Sequence, residues 1–241
     1  MNPLIFVVSS FISGIFGTLL LGRHSSKTII PGLLFHSVLR DPNLNLSHFS
    51  SRTFYKFVNL LHELQYTPMT ISYAAEQNES CNEQKRLLIT FDDGLENINC
   101  NAIECLDKFN FKSTIFCVSG FTGKKSAWDV YSQTMHLNAA EIRSISDNGH
   151  EIGSHTHTHA NLTYLAEKDL IEELRTSKKV LEDITGKEVK SISFPHGSWN
   201  QRVWSSACNE GYRYASLYRG HSRSNDPGHF PVLSAGRFDT E

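Results

Sequence analysis

What most constrains the fold of this chain is an alternation. Short runs of apolar and β-branched residues trade places with segments of helical period along most of the sequence. Such alternation builds parallel β/α units, because parallel neighbours need a crossover between them. The strand candidates are Ile29–Val38, Met69–Ser72, Arg86–Phe91, Ser113–Val118, His150–Ser154, Val189–Phe194 and Tyr212–Ser216. Between them, Phe54, Phe57, Leu61 and Leu64 recur at helical spacing, as do Ile98, Ala102, Cys105, Leu106 and Phe109. Asn138 followed by Glu141 resembles a capping box, and Gly149 is placed to end that helix. The longest helix carries Leu170, Leu174, Leu181 and Ile184 and closes at Gly186; a last helix ends at Gly211. The pattern predicts an α/β chain.

Unusual polar residues collect just past the carboxyl ends of these strands. His36, Asp92, Asp93, His155 and Pro195-His196-Gly197 all fall there, where the loops of a β/α barrel converge on one mouth. Two adjacent carboxylates after an apolar strand are costly to desolvate without partners, although Asp92-Asp93-Gly94 also reads as a turn that caps the next helix. In His155-Thr156-His157-Thr158-His159, imidazoles four residues apart would share one side of a helical turn and could ligate one metal ion; the alternative is a solvated polar loop. Together the pieces suggest more. Two histidines and one aspartate give three ligands with positions left open for water and substrate, and the second carboxylate is free to act as a base.

These segments resemble the polysaccharide deacetylase family (NodB homology, carbohydrate esterase family four). LLITFDDG is similar to its first motif, SHTHTH to its second, H-[ST]-x-x-H, and SFPHG to its third, usually R-x-P-Y-G. FKSTIFCV, the Trp128-Asp129 pair and NGHEIGSHTHTHANL fit as well, so the likeness runs from about His36 to Arg237. It implies an irregular (β/α)7-type barrel forming a single catalytic domain over residues 28–241. It also implies that Asp93, His155 and His159 hold one divalent metal ion, with zinc the first choice, and that Asp92 is the general base. His157 faces another side of the turn and is not counted as a ligand.

Two departures bear on the site. The third-motif Arg, which steadies the catalytic Asp in the family, is Ser193 here, and the Tyr is His196. The backbone N–H at position 196 can still serve the oxyanion. Pro195, Gly197 and Arg237 are candidates for substrate binding or for orienting the base, with Arg237 a substitute for the missing Arg or simply a surface residue. The family's late L-x-H motif, which usually supplies the general acid, is absent. LLFHSV instead resembles the opening strand of the permuted poly-β-1,6-N-acetylglucosamine deacetylase branch, which makes His36 the acid. The reaction implied is hydrolysis of N-acetyl groups on a glycan or amino sugar. Hydrolysis of another non-peptide C–N bond and an inactive sugar-binding domain stay open.

Composition narrows the rest. A formal net charge of −2 with no basic stripe excludes a nucleic-acid binder. Five cysteines without a C-x-x-C pair argue against a disulfide framework or thiolate zinc site, and predict small core residues. Pro3 to Leu21 carries no charge, so residues 1–27 form a hydrophobic segment of nearly bilayer-spanning length. With Arg23 and Lys27 after it and no A-x-A-like site, it reads as a membrane anchor rather than a cleaved signal, against the alternative of a buried helix. The expected location is the membrane or cell envelope rather than the free cytoplasm.

Overall fold

Parallel strands buried on both faces shape this molecule, whose computed structural model describes residues 30, 32–40, 48–76, 85–128, 134–218 and 229–234. The elements run β1 (Gly32–Phe35), β2 (Ser37–Leu39), β3 (His48–Ser50), α1 (Ser51–Glu63), β4 (Tyr66–Met69), α2 (Ile71–Glu76) and β5 (Lys85–Phe91). A π turn (Asn99–Ile103) leads into α3 (Glu104–Lys108), followed by β6 (Thr114–Cys117), α4 (Ala139–Asp147) and β7 (Glu151–Ser154). Then come α5 (Glu167–Thr185), β8 (Ser191–Ser193), α6 (Gln201–Asn209), β9 (Tyr214–Tyr218) and β10 (His229–Ser234).

Among the described residues, strands β5 to β10 pair in parallel in chain order, and β1 closes the ring by pairing with both β10 and β5. This is the expected (β/α)7-type barrel. Its irregularity lies in β4, which adds to β5 at Lys85–Leu88, and in the separate β2–β3 pair. Alternate residues face opposite sides of a strand. Leu87, Ile89 and Phe91 of β5, Ile115 and Cys117 of β6, and Ile192 of β8 join the large core shared with the helices. Leu88 and Phe116 join a second cluster with Met69, Ile71 and Ala74. Gly153 of β7 makes room for that cluster, since a Cβ there would stand 2.5 Å from the Phe116 ring. Phe35, Phe49, Phe54, Phe57 and Phe91 form a connected ring cluster between β1, β3, α1 and β5.

Several boundaries differ from the sequence reading. The first strand breaks at His36: β1 enters the barrel, while β2 turns aside to pair with β3. Residues 69–72 supply only the end of β4 and the start of α2. The first amides of α2 are taken by distant side chains, Ile71 N–H by Thr114 Oγ1 at 3.0 Å and Ser72 N–H by Glu151 Oε2 at 2.8 Å. The capping box at Asn138 and Glu141 forms as expected, with both reciprocal bonds present. Cys105 and Cys117 are buried, but Cys100 and Cys208 are exposed, which corrects the core reading for those two. Among the described residues no helix is long and apolar enough to cross a membrane. The segment 1–27, Cys81, Asp129 and Arg237 lie outside the described residues.

Candidate active site

The strand alternation that builds the core also aims the polar residues. Leu88 faces the barrel interior, so Asp92, four residues on at the mouth, continues that face. On β8, Ile192 packs outward and Ser193 inward. Register supplies the height. Phe35 of β1 pairs with Phe91 of β5, and the Asp92 N–H donates to the Phe35 carbonyl at 2.9 Å, which sets His36 beside Asp92. Ser154 of β7 pairs with Ile192 of β8, so His155 follows next to Ser193.

The two histidines do not meet on a helical turn. Residues 155–159 form an irregular loop with Thr156 at φ 66° and His159 at φ 63°. Side chains hold that shape: Ser154 Oγ accepts from Thr156 N–H, and Thr156 Oγ1 from His159 N–H, both at 3.1 Å. Glu173 on α5 accepts three bonds from the loop, from the N–H groups of His157 and Thr158 and from the Thr158 hydroxyl. His157 turns away, with its Nδ1 2.9 Å from Ser119 Oγ. Asp93 and His196 are also left-handed, at φ 66° and 60°. Left-handed backbone is uncommon for residues other than glycine and gathers where a site over-determines it. Gly94, at φ 63°, is required twice over, since a Cβ there would meet Cys117 Sγ at 2.9 Å.

The donor atoms of Asp93, His155 and His159 lie within 4.8 Å of one another. Asp93 Oδ1 stands 3.6 Å from His155 Nε2 and 3.4 Å from His159 Nε2. Two donors each about 2.1 Å from a tetrahedral centre stand roughly 3.4 Å apart, so the spacing suits one divalent cation. The protonation states suit it too. His155 Nδ1 donates to the Ser193 carbonyl at 2.8 Å, so Nε2 is the ring nitrogen left facing Asp93. Burial, reinforced by His155, pushes His159 down to about 3, so it is neutral near pH 7 and its contact with Asp93 is not an ion pair. Asp93 Oδ1 is buried with no hydrogen-bond partner, as a ligand oxygen would be. Burial alone would raise the Asp93 pKa, but His155 and His36 hold it below the ordinary aspartate value.

Asp92 is 5% exposed, with Oδ2 4.0 Å from His155 Nε2. Burial raises its pKa against the opposing pull of His155 and His36. Oδ1 has no partner, whereas Oδ2 accepts the Ser193 hydroxyl at 2.9 Å. Ser193 thus touches Asp92 where the family resemblance leads one to expect an Arg, a contact the sequence reading missed. Two further neighbours were also missed. The Trp128 indole stacks on His159 with centroids 4.2 Å apart and planes 4° apart. His136 is buried, and its Nδ1 donates to the Asp93 carbonyl at 2.8 Å. Proximity of His136 to the histidine cluster left no signal in the sequence, though Trp128 was noted. The exposed His196 sets its ring 4.9 Å from His159, edge to face. Its turn, Pro195–Gly197, is bonded through the Gly197 and Ser198 N–H groups.

Comparison with known proteins places the chain in a family. The family model described as polysaccharide deacetylase matches residues 79–215. YxkH of Bacillus subtilis is 28% identical over 206 residues, covering 84% of this chain and 69% of YxkH. The peptidoglycan-N-acetylglucosamine deacetylase PgdA of Listeria monocytogenes is 24% identical over 140 residues, 58% of this chain but only 27% of PgdA. The structure of the Streptococcus pyogenes deacetylase PplD, in complex with acetate, superposes with a TM-score of 0.74 at 20% identity and covers 87% of this chain and 93% of that one. The structural likeness concerns the fold, while the family match spans more than half of the sequence, including both aspartates, both loop histidines and Ser193. On that match, the chain belongs to the polysaccharide deacetylase family.

Proposed function

We propose that this chain is a metal-dependent hydrolase that removes N-acetyl groups from an N-acetylhexosamine-containing glycan, in the manner of the permuted poly-β-1,6-N-acetylglucosamine deacetylase-like branch. One observation carries the reading: two adjacent carboxylates, each with a buried and unpartnered Oδ1, beside two imidazole Nε2 atoms. A structural turn would satisfy those oxygens. The activity in the name of PgdA and the acetate bound to PplD support the same chemistry. The place of β1 between β10 and β5, with His36 at its end, supports the branch.

Asp93, His155 and His159 hold the cation, for which zinc is the first choice, although ligand type alone does not separate zinc from cobalt, nickel or iron. When bound, it supplies Lewis acidity that polarises the acetamide carbonyl and makes nearby water more acidic. Asp92 takes a proton from the attacking water through its free Oδ1 as the water oxygen bonds to the carbonyl carbon. The His196 N–H, which the bonds of its own turn leave unused, donates to the carbonyl oxygen as charge builds there. The C–N bond then breaks, and His36 passes its proton to the departing nitrogen. The products are acetate and a free amino sugar. Pro195 and the left-handed Gly197 fix the turn that presents His196. Incubation with β-1,4- and β-1,6-linked N-acetylglucosamine tetramers should yield acetate and tetramers lacking acetyl groups by mass spectrometry. A protein that binds both tetramers and leaves them unchanged would favour the inactive sugar-binding reading.

The role of His36 has its own test. It follows strand β1 directly, where Phe35 pairs with Phe91, the residue before the two aspartates. An amine cannot leave without a proton, whereas an activated phenol departs as an anion. His36→Ala should therefore slow amide hydrolysis by about 10²-fold and aryl acetate hydrolysis far less, with metal content unchanged. Equal losses on both substrates would remove His36 from the role of acid.

A further inference from the structure

Ser193 is bonded twice within the site, by two different groups. Its carbonyl accepts from His155 Nδ1 at 2.8 Å, and its hydroxyl donates to Asp92 Oδ2 at 2.9 Å. The residue is 5% exposed and sits at the end of β8, paired in register with Ser216 of β9. Its backbone is therefore fixed by the barrel, and the side chain inherits that fixity. The hydroxyl engages only one Asp92 oxygen and leaves Oδ1 buried and open. A carboxylate held by one oxygen cannot rotate about its terminal torsion without losing the bond, so the free oxygen keeps a single direction.

We infer that Ser193 is the positioning residue for the general base: it aims Asp92 Oδ1 and ties that aim to the orientation of His155. The inference rests on the reading of Asp92 as base. It differs from a purely structural role, in which the hydroxyl would only satisfy a buried oxygen. The two bonds are separable by mutation, because Ser193→Ala deletes the hydroxyl and keeps the carbonyl.

The test compares wild type, Ser193→Ala, Ser193→Thr, Asp92→Asn and the Ser193→Ala/Asp92→Asn double variant in the full chain. Each is loaded with zinc and measured for metal content, thermal unfolding, and kcat and KM on the tetramers and on an aryl acetate. Loss of a hydrogen bond to a charged group corresponds to roughly a 10- to 100-fold fall in kcat for Ser193→Ala. KM and metal content should stay at wild-type values, because the bond to His155 survives. Ser193→Thr, which restores the hydroxyl, should recover most of the lost turnover. In the Asp92→Asn background the alanine should cost nothing further, since groups acting as a unit are not additive. Wild-type kcat in Ser193→Ala, with Asp92→Asn inactive, would overturn the inference and leave the base standing. So would metal loss in Ser193→Ala, or a threonine variant that folds without recovering turnover. Full activity in Asp92→Asn would instead overturn the base itself. Should the alanine variant fail to fold, Ser193→Cys, which keeps the size of the side chain and has only a weak donor, takes its place in every one of these comparisons with the same expected and contrary results.

Discussion

Asp92→Asn should give a folded protein that binds metal like wild type and turns over at least about 10²-fold more slowly, the usual scale for a general base. The amide keeps the shape of the carboxylate and can still accept the Ser193 hydroxyl through its oxygen. What it cannot do is take a proton at the position of Oδ1, which is buried and unpartnered. The proposed metal donors are untouched, because the three convergent atoms belong to Asp93, His155 and His159. Removing a buried charge also relieves the desolvation that raises the Asp92 pKa, so thermal stability should hold or rise. Metal analysis and single-turnover kinetics on one preparation check this. Loss of metal would mean that Asp92 and Asp93 have exchanged roles.

His155→Ala and His159→Ala should each lower metal content and activity together, with turnover near background at limiting metal. The two should differ in degree. His155 is 2% exposed and anchored through Nδ1 to the β8 backbone, so its deletion removes a preoriented ligand and leaves the Ser193 carbonyl without its donor. His159 is held by the Trp128 stack and the left-handed loop, and excess zinc should restore that variant more readily. Zinc titration with a competing chelator measures both. Wild-type metal affinity in both variants would sink the ligand assignment.

Much of this site could be read from strand phase. The apolar run LLITF is followed by two carboxylates, and β5 ends at Phe91, where the sequence reading placed its end. The capping box at Asn138 was legible because both partners lie within one turn. What stayed hidden depends on distant partners. Helix α2 begins at Ile71 because Thr114 and Glu151 take its first amides, and no local pattern announces that. Strands β3 and β10 were missed: one is three residues long, and the other carries Pro231, which usually argues against a strand. The histidine spacing suggested a helical turn, yet the imidazoles converge through left-handed residues braced by Glu173 on another element. Ser193 looked like a loss when set against the motif, and only the barrel closure showed its hydroxyl reaching Asp92.

The central claim is that the buried Asp92 and the Asp93–His155–His159 cluster together hydrolyse acetamides on a glycan. Acetate release from the N-acetylglucosamine tetramers tests it most directly, measured for wild type as purified, after chelation, after zinc is restored, and for Asp92→Asn. The account predicts release by wild type, loss on chelation, recovery with zinc, and little release by Asp92→Asn under any condition. Acetate release that persists at the wild-type rate after the metal is stripped, or in Asp92→Asn, would contradict it.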